Sequence, residues 1–297
     1  MTRPGARWVR VCGPGVWAVL LVVGVSAAGW PQESPNVAYV TVLDRRQAPV
    51  QGLGAADISI IENGETREVV EAVPAADPLV VAVLVDTAKP RLGTFAATRD
   101  IRRAVTTLVA RVQAAAPGSR LALMETGGAA VLQVDFTADR RALDDGIDRL
   151  FQSQRSSSVV LEGLQAIGKT IAEQRETRRA IVSIDFDSED TSRIQPKEYA
   201  AAVQLAGASV VAVSVRSDGN PAPGRNGVLA WTTAVTGGMR VTGIAMSALE
   251  AQLETVARAL TSQYRVTWVR PAGTPVGELR GSARGAARVL VTRSAAR

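Results

Sequence analysis

The chain has 297 residues, of which 46% are hydrophobic and 21% charged. That is enough apolar content for one large domain and a small one, in a chain that folds. It has no His, and its single Cys is Cys12, ahead of the apolar run near the start. The rest of the chain therefore cannot build a Cys–His or Ser–His–Asp catalytic unit, or a zinc site of the Cys/His type.

Arg3, Arg7 and Arg10 precede the apolar run Val16–Val25, which Ser26-Ala27-Ala28 follows. A basic start, a short apolar core and small residues predict an export signal over 1–28. The core is shorter than the ~20 residues a membrane span needs, so a membrane link is expected only through an uncleaved signal. Cleavage after Ala28 would remove three Arg and no acidic residue, halving the net charge of +6. The near-neutral remainder argues against a nucleic-acid partner. A chain then free of Cys fits a secreted or periplasmic protein held by core burial rather than disulfides.

Residues 37–73 read as a small β-module. Val37–Leu43 alternates apolar and polar residues, Ile58–Ile61 is a second strand, Asn63-Gly64 a hairpin turn, and Thr66–Val73 a third strand. Pro74 and Pro78 close the module. A strand–helix alternation follows. Leu79–Val85 is continuously apolar and ends at Asp86, as a parallel strand covered on both faces would. The pattern then predicts a helix over 94–115, strands over 120–125 and 130–136, and helices over 139–151 and 159–175. A buried strand over 179–184 ends at Asp185, and a helix over 196–205 stops at Gly207. Beyond it come a strand over 209–215, a Gly/Pro/Asn loop over 217–227, and a helix over 228–235. A short strand over 239–242, a helix over 247–262, and strands over 264–269 and 288–292 about a Gly-rich loop complete the pattern. This is the signature of an α/β, doubly wound, mostly parallel sheet of Rossmann-like type behind a small β-module. Such sheets bind ligands beyond the carboxyl ends of their strands, which singles out Asp86 and Asp185. Trp231 and Trp268 are expected in the core. The acidic stretch Asp187, Glu189 and Asp190 and the series Arg280, Arg284, Arg288, Arg293 and Arg297 are expected to be solvated.

Four segments in order carry a resemblance: Leu79–Asp86, Phe136-Thr137-Ala138-Asp139, Ser158–Leu164 and Arg179–Asp185, with Thr236-Gly237-Gly238 behind them. Together they resemble the von Willebrand factor A (VWFA) family. Val40–Asp44, Pro49–Leu53, Asp57–Ile60, Glu62-Asn63-Gly64 and Gln263–Val266 resemble an exported bacterial subgroup often called the acidobacterial VWFA-related family. The resemblance implies a VWFA-like domain over 78–270, with 37–73 as a β-module and 271–297 as a C-terminal loop and strand.

The family's metal-ion-dependent adhesion site uses Asp-x-Ser-x-Ser, a distant Thr and a distant Asp. The resemblance places Asp86, Ser158 and Asp185 at its metal positions, while Ala88 and Pro90 stand where the two serines would be, and Phe186 where Gly is usual. Mg²⁺ demands near-octahedral oxygen coordination, so the site is expected to be degenerate and no cofactor is implied. Lys89 is the expected stand-in for the cation. The binding edge is then Asp86, Thr87, Lys89, Ser158, Asp185 and Asp187, with the turn at Gly127-Gly128. The resemblance implies a non-catalytic module that binds a protein partner. Two alternatives stay open: Mg²⁺-dependent adhesion through the same edge, and a carboxylate-based hydrolase using Asp86 and Asp185.

Overall fold

Strand β5 (Leu79–Val85) is apolar at every position because the sheet it belongs to is covered on both sides. A computed structural model of the chain describes residues 34–89, 98–152, 157–186, 188–215, 223–243, 245–271 and 273–295. The predicted signal over 1–28, the expected helix start at Thr94, and Asp187 and Pro90 lie outside these residues. Among the described residues no helix is long and apolar enough to cross a membrane.

Besides β5, the chain forms β1 (Ser34–Leu43), β2 (Ile58–Glu62), β3 (Glu65–Arg67), β4 (Val69–Pro74), β6 (Arg120–Glu125), β7 (Val131–Thr137), β8 (Ser157–Ser158) and β9 (Arg178–Phe186). Further along are β10 (Glu189–Asp190), β11 (Ser209–Val215), β12 (Met239–Gly243), β13 (Tyr264–Arg270), β14 (Leu279–Ala283) and β15 (Arg288–Arg293). The helices are α1 (Thr98–Ala115), α2 (Arg140–Arg149), α3 (Val160–Ala172), α4 (Pro196–Ala206), α5 (Pro223–Val235) and α6 (Leu249–Thr261).

The central sheet has the order β12-β11-β9-β5-β6-β7. All its neighbours are parallel except the edge pair β6–β7. The alternation within β5 assigns each residue a side. Val81, Val83 and Val85 pack with Ile101, Val105 and Leu108 of α1 and Leu253 and Val256 of α6. Val80, Ala82 and Leu84 pack with Leu164 and Ile167 of α3, Val203 of α4 and Leu229 of α5. The result is the helix–sheet–helix sandwich expected of a doubly wound fold.

The β-module is larger than its predicted span. A four-stranded antiparallel sheet, β15-β1-β13-β4, stands with a three-stranded sheet, β14-β2-β3. Period-2 alternation puts Ala38, Val40 and Val42 of β1 and Tyr264, Val266 and Trp268 of β13 into a core with Ile58 and Ile60 of β2. Strand β13, expected at the end of the VWFA-like segment, thus pairs with β1 and β4 of the module. Strand β14 falls inside the expected Gly-rich loop. Leu279-Arg-Gly-Ser-Ala has weak strand propensity and is ordered by pairing along β2. The third predicted strand is divided at Glu68, so that β3 pairs with β2 and β4 with β13. The Asn63-Gly64 hairpin is as expected, with φ of 54° and 83°, the doubly positive pattern of a type I′ turn.

Candidate functional site

The site lies where β5 and β9 end side by side. Asp86 follows β5, and its backbone N–H donates to the Ile184 carbonyl of β9 at 2.9 Å. Its carboxylate accepts from the Ala88 N–H at 3.0 Å, from the Phe186 N–H at 3.4 Å, and from the Ser188 hydroxyl in a short contact. Asp185, on β9, accepts from the Ser214 hydroxyl of β11 at 2.7 Å. Ser158 donates its hydroxyl to the Thr126 carbonyl at 3.0 Å. Its segment is fixed further by a bridge to Gly127 and by the β8–β10 pair. Asp86, Thr87, Ser158 and Asp185 are all buried. The resemblance-based residues therefore do converge at one sheet edge.

Gly127 makes the convergence geometrically possible. A Cβ there would lie 2.4 Å from Thr87 Oγ1 and 2.9 Å from the Thr87 carbonyl carbon. The turn after β6 thus passes against the backbone after Asp86. Gly127→Ala should cost about 1–3 kcal/mol, as overpacking in a rigid site does. Urea denaturation would register this as a lower midpoint with an unchanged slope.

Arg225, at the start of α5, places a cation beside the two carboxylates. Its Nη1 is 3.6 Å from Asp86 Oδ2 and its Nη2 is 3.6 Å from Asp185 Oδ2. Nη1 is also 3.9 Å from Asp190 Oδ2 and donates to the Ser188 hydroxyl at 3.2 Å, while Nη2 donates to the Phe186 carbonyl at 2.5 Å. The Arg225 side chain is 1% exposed, and those of Asp86 and Asp185 are 0%. Lys89, the expected stand-in, is exposed.

The reason lies in α5. Residues 217–227 read as a loop because of their Pro, Gly and Asn. Pro223 in fact begins a helix, where a missing N–H is harmless and a fixed φ helps. That places Arg225 within the first turn of α5 rather than in a loop. Asp190, expected to be solvated, is instead drawn in. It accepts from the Ser192 N–H at 2.9 Å and stands beside Arg225. Ser188 and Ser214 were also missed, since nothing local marks a serine that a tertiary contact will recruit. Trp231, expected in the core, is 40% exposed on α5 with its ring 6.3 Å from that of Tyr199, whereas Trp268 is fully buried.

Burial pushes the Asp86 carboxyl up to about 6, against the pull of Arg225, Ser188, Ala88 and Ser158. Ala88 offers a methyl where the family has a hydroxyl, and a guanidinium stands among the carboxylates a cation would use. Among the described residues no group of three acidic, Cys or His side chains is arranged to hold a metal.

No family model and no curated protein matches the chain. Solved structures do. Proximal thread matrix protein 1 from the mussel byssus superposes with a TM-score of 0.51 at 12% identity, over 72% of this chain and 50% of that one. A second structure of that protein, with zinc in its MIDAS motif, gives 0.51 at 13% identity over 68% and 50%. The chain thus spans about half the length of the mussel protein. The vWF domain of the type V pili tip protein Mfa5 from Porphyromonas gingivalis gives 0.50 at 12% identity, over 63% of this chain and 96% of that one. The helix–sheet–helix layer is a von Willebrand factor A fold. In VWFA terms, Asp86, Ser158 and Asp185 lie at the sheet edge where ligands bind in doubly wound folds, and Arg225 joins them there from α5.

Proposed function

We propose that the chain is an exported, non-catalytic protein-interaction module of VWFA type, belonging to the acidobacterial VWFA-related group, and that it engages its partner without a metal. One observation carries this reading: Asp86 and Asp185 are buried and engaged by protein donors and by Arg225, which supports contact with a partner made elsewhere on the edge and without a metal. The same closure speaks against the carboxylate hydrolase, because both carboxyl groups are buried and tied. Function follows the site rather than the fold, and here the site is self-satisfied. The solved VWFA neighbour from a pilus tip supports a binding role outside the cytoplasm.

Contact with a partner then falls to the rim of the edge. Lys89 and Glu189 are exposed there. Phe151 is 62% exposed and its backbone amide acts to lower the pKa of Glu125 at the end of β6, where Val131, opposite Glu125, is 46% exposed. Exposed aromatic and aliphatic groups beside a charged rim are the composition of a binding patch.

The test is crosslinking capture of extracytoplasmic proteins by the mature chain, in EDTA and in 5 mM Mg²⁺. Equal recovery of the same partner in both supports the reading, and recovery only with Mg²⁺ establishes metal-dependent adhesion instead. Phe151→Ala should weaken binding of that partner about 5- to 10-fold, the range of an anchoring aromatic, without lowering Tm.

A further inference from the structure

We infer that the rim patch of Glu125, Val131, Leu132 and Phe151 recognises a basic side chain set between apolar neighbours, with Glu125 as the counter-charge that selects it. This rests on the reading of the rim as the contact surface and adds the chemistry of the partner.

Glu125 closes β6 and stands opposite Val131, which opens β7. It is half-buried, and its Oε1 is shielded from water and accepts no hydrogen bond. Burial raises its carboxyl above the ordinary value, and the groups that oppose the rise are neutral, the Phe151 backbone amide and the Gln133 side chain. Two arginines lie close in the fold, but both are turned to backbone. Arg102 Nε donates to the Leu150 carbonyl at 2.9 Å, and Arg149 Nη2 to the Gln133 carbonyl at 3.3 Å. Glu62, Asp86 and Asp185, by contrast, each have an arginine beside them. A shielded carboxylate oxygen without a donor is costly, so Glu125 is poised to gain from one supplied from outside.

The surface around this carboxylate is apolar. Phe151, Val131 and Leu132 are all exposed, and β7 is the last strand of its sheet on that side. Val131 and Leu132 are adjacent, so they cover both faces of the strand where it begins. Lysine and arginine suit such a setting. Their methylene stems lie along apolar surface while the charged end reaches a carboxylate, and an aromatic face adds attraction for the cation. The terminal torsion of a glutamate is broad, so the carboxylate can turn towards an incoming donor without a shift of β6. An acidic side chain would meet Glu125 where water screens poorly and be repelled. A purely apolar one would fill the patch but leave Oε1 without a donor.

The experiment is an NMR titration of the isotope-labelled mature chain with peptides of the form Ser-Leu-Ala-X-Ala-Leu-Ser, where X is Lys, Arg, Gln or Glu. At low salt the Lys and Arg peptides should bind about 10-fold or more tightly than the Glu peptide, with amide shifts centred on Glu125, Val131 and Phe151. Glu125→Gln should bring the Kd values to within about 2-fold of one another. It should also keep or raise Tm, because an amide is less costly to bury than a carboxylate. Phe151→Ala should weaken all the peptides alike and preserve their order. A preference for the basic peptides that survives Glu125→Gln overturns the inference, as does a Glu peptide that binds as tightly as the Lys peptide. Shifts that are absent or centred elsewhere overturn it too, and so does a Glu125→Gln chain that melts well below the wild type. Each of these failures would leave the interaction reading standing, because capture of the partner by the wild-type chain in EDTA is measured separately.

Discussion

Arg178→Ala is expected to lower stability by on the order of 4 kcal/mol, more than any surface change in this chain. Arg178 opens β9 and is almost wholly buried. Its Nε donates to Gln263 Oε1 at 3.0 Å, Nη1 to the carbonyls of Ala75 and Asp77 at 3.0 and 3.1 Å, and Nη2 to the Leu260 carbonyl at 2.6 Å. It thereby ties the central sheet to the β4–β5 connection and to the end of α6. Its carbon Cζ also lies 5.9 Å from the centre of the Tyr39 ring. Burial pulls its pKa down to about 10, with Tyr39 and Asp77 opposing, so the charge is present at neutral pH. Truncation would leave three backbone carbonyls and the Gln263 amide without their donor, each costing about 1–3 kcal/mol where water cannot replace it. Arg178→Lys should lose most of the same stability, since one ammonium cannot reach four acceptors set around a planar fork. Urea denaturation measures both variants, and a midpoint within error of wild type for Arg178→Ala would refute the staple.

Glu62→Ala is expected to cost about 3–5 kcal/mol, the penalty for breaking a buried ion pair from one side. Glu62 closes β2 and is fully buried. Arg270 of β13 binds it through two bonds of 2.6 and 2.9 Å, Arg293 of β15 at 2.9 Å, and Arg67 of β3 lies 3.6 Å away. One carboxylate thus joins four strands from the two sheets of the module. Arg293 had been expected to be solvated with the other late arginines, but its bond to Glu62 and its place over the Trp268 ring make it a packing residue. Burial acts to raise the Glu62 pKa, but the bonds from Arg270 and Arg293 outweigh it and hold the carboxyl down at about 2. The sign follows from linkage. A depressed folded-state value stabilises the protein above the unfolded value near 4.5, and that stability is lost as pH falls towards 2. Wild-type stability should therefore fall across that window, and Glu62→Gln should flatten the slope there.

The fold was legible because β5 is apolar without interruption, β9 and β11 carry apolar runs broken only by Ser183 and Ser214, and the helices between them are periodic. The placement of Asp86 and Asp185 at strand ends was legible from the apolar runs before them, whereas Ser158 was singled out only through the family resemblance. Arg225 was not, because its segment carries loop composition and its partners lie far away in sequence. A proline opening a helix and one closing a loop look alike until the helix is seen. The same holds for β14, whose pairing with β2 supplies the order that its own Gly and Ser do not. Position in the sheet edge could be read locally, whereas the charge that completes it could not.

The seating of β1 between β13 and β15 has a consequence for biogenesis. Synthesis releases β1 early, yet both of its hydrogen-bonding flanks belong to strands made long afterwards. The helix-covered sheet can assemble meanwhile from nearer neighbours, while β1 waits with both edges open. Such long-range pairing is slow and leaves strand edges exposed to aggregation. A chain with this topology gains from being kept unfolded until β15 has emerged.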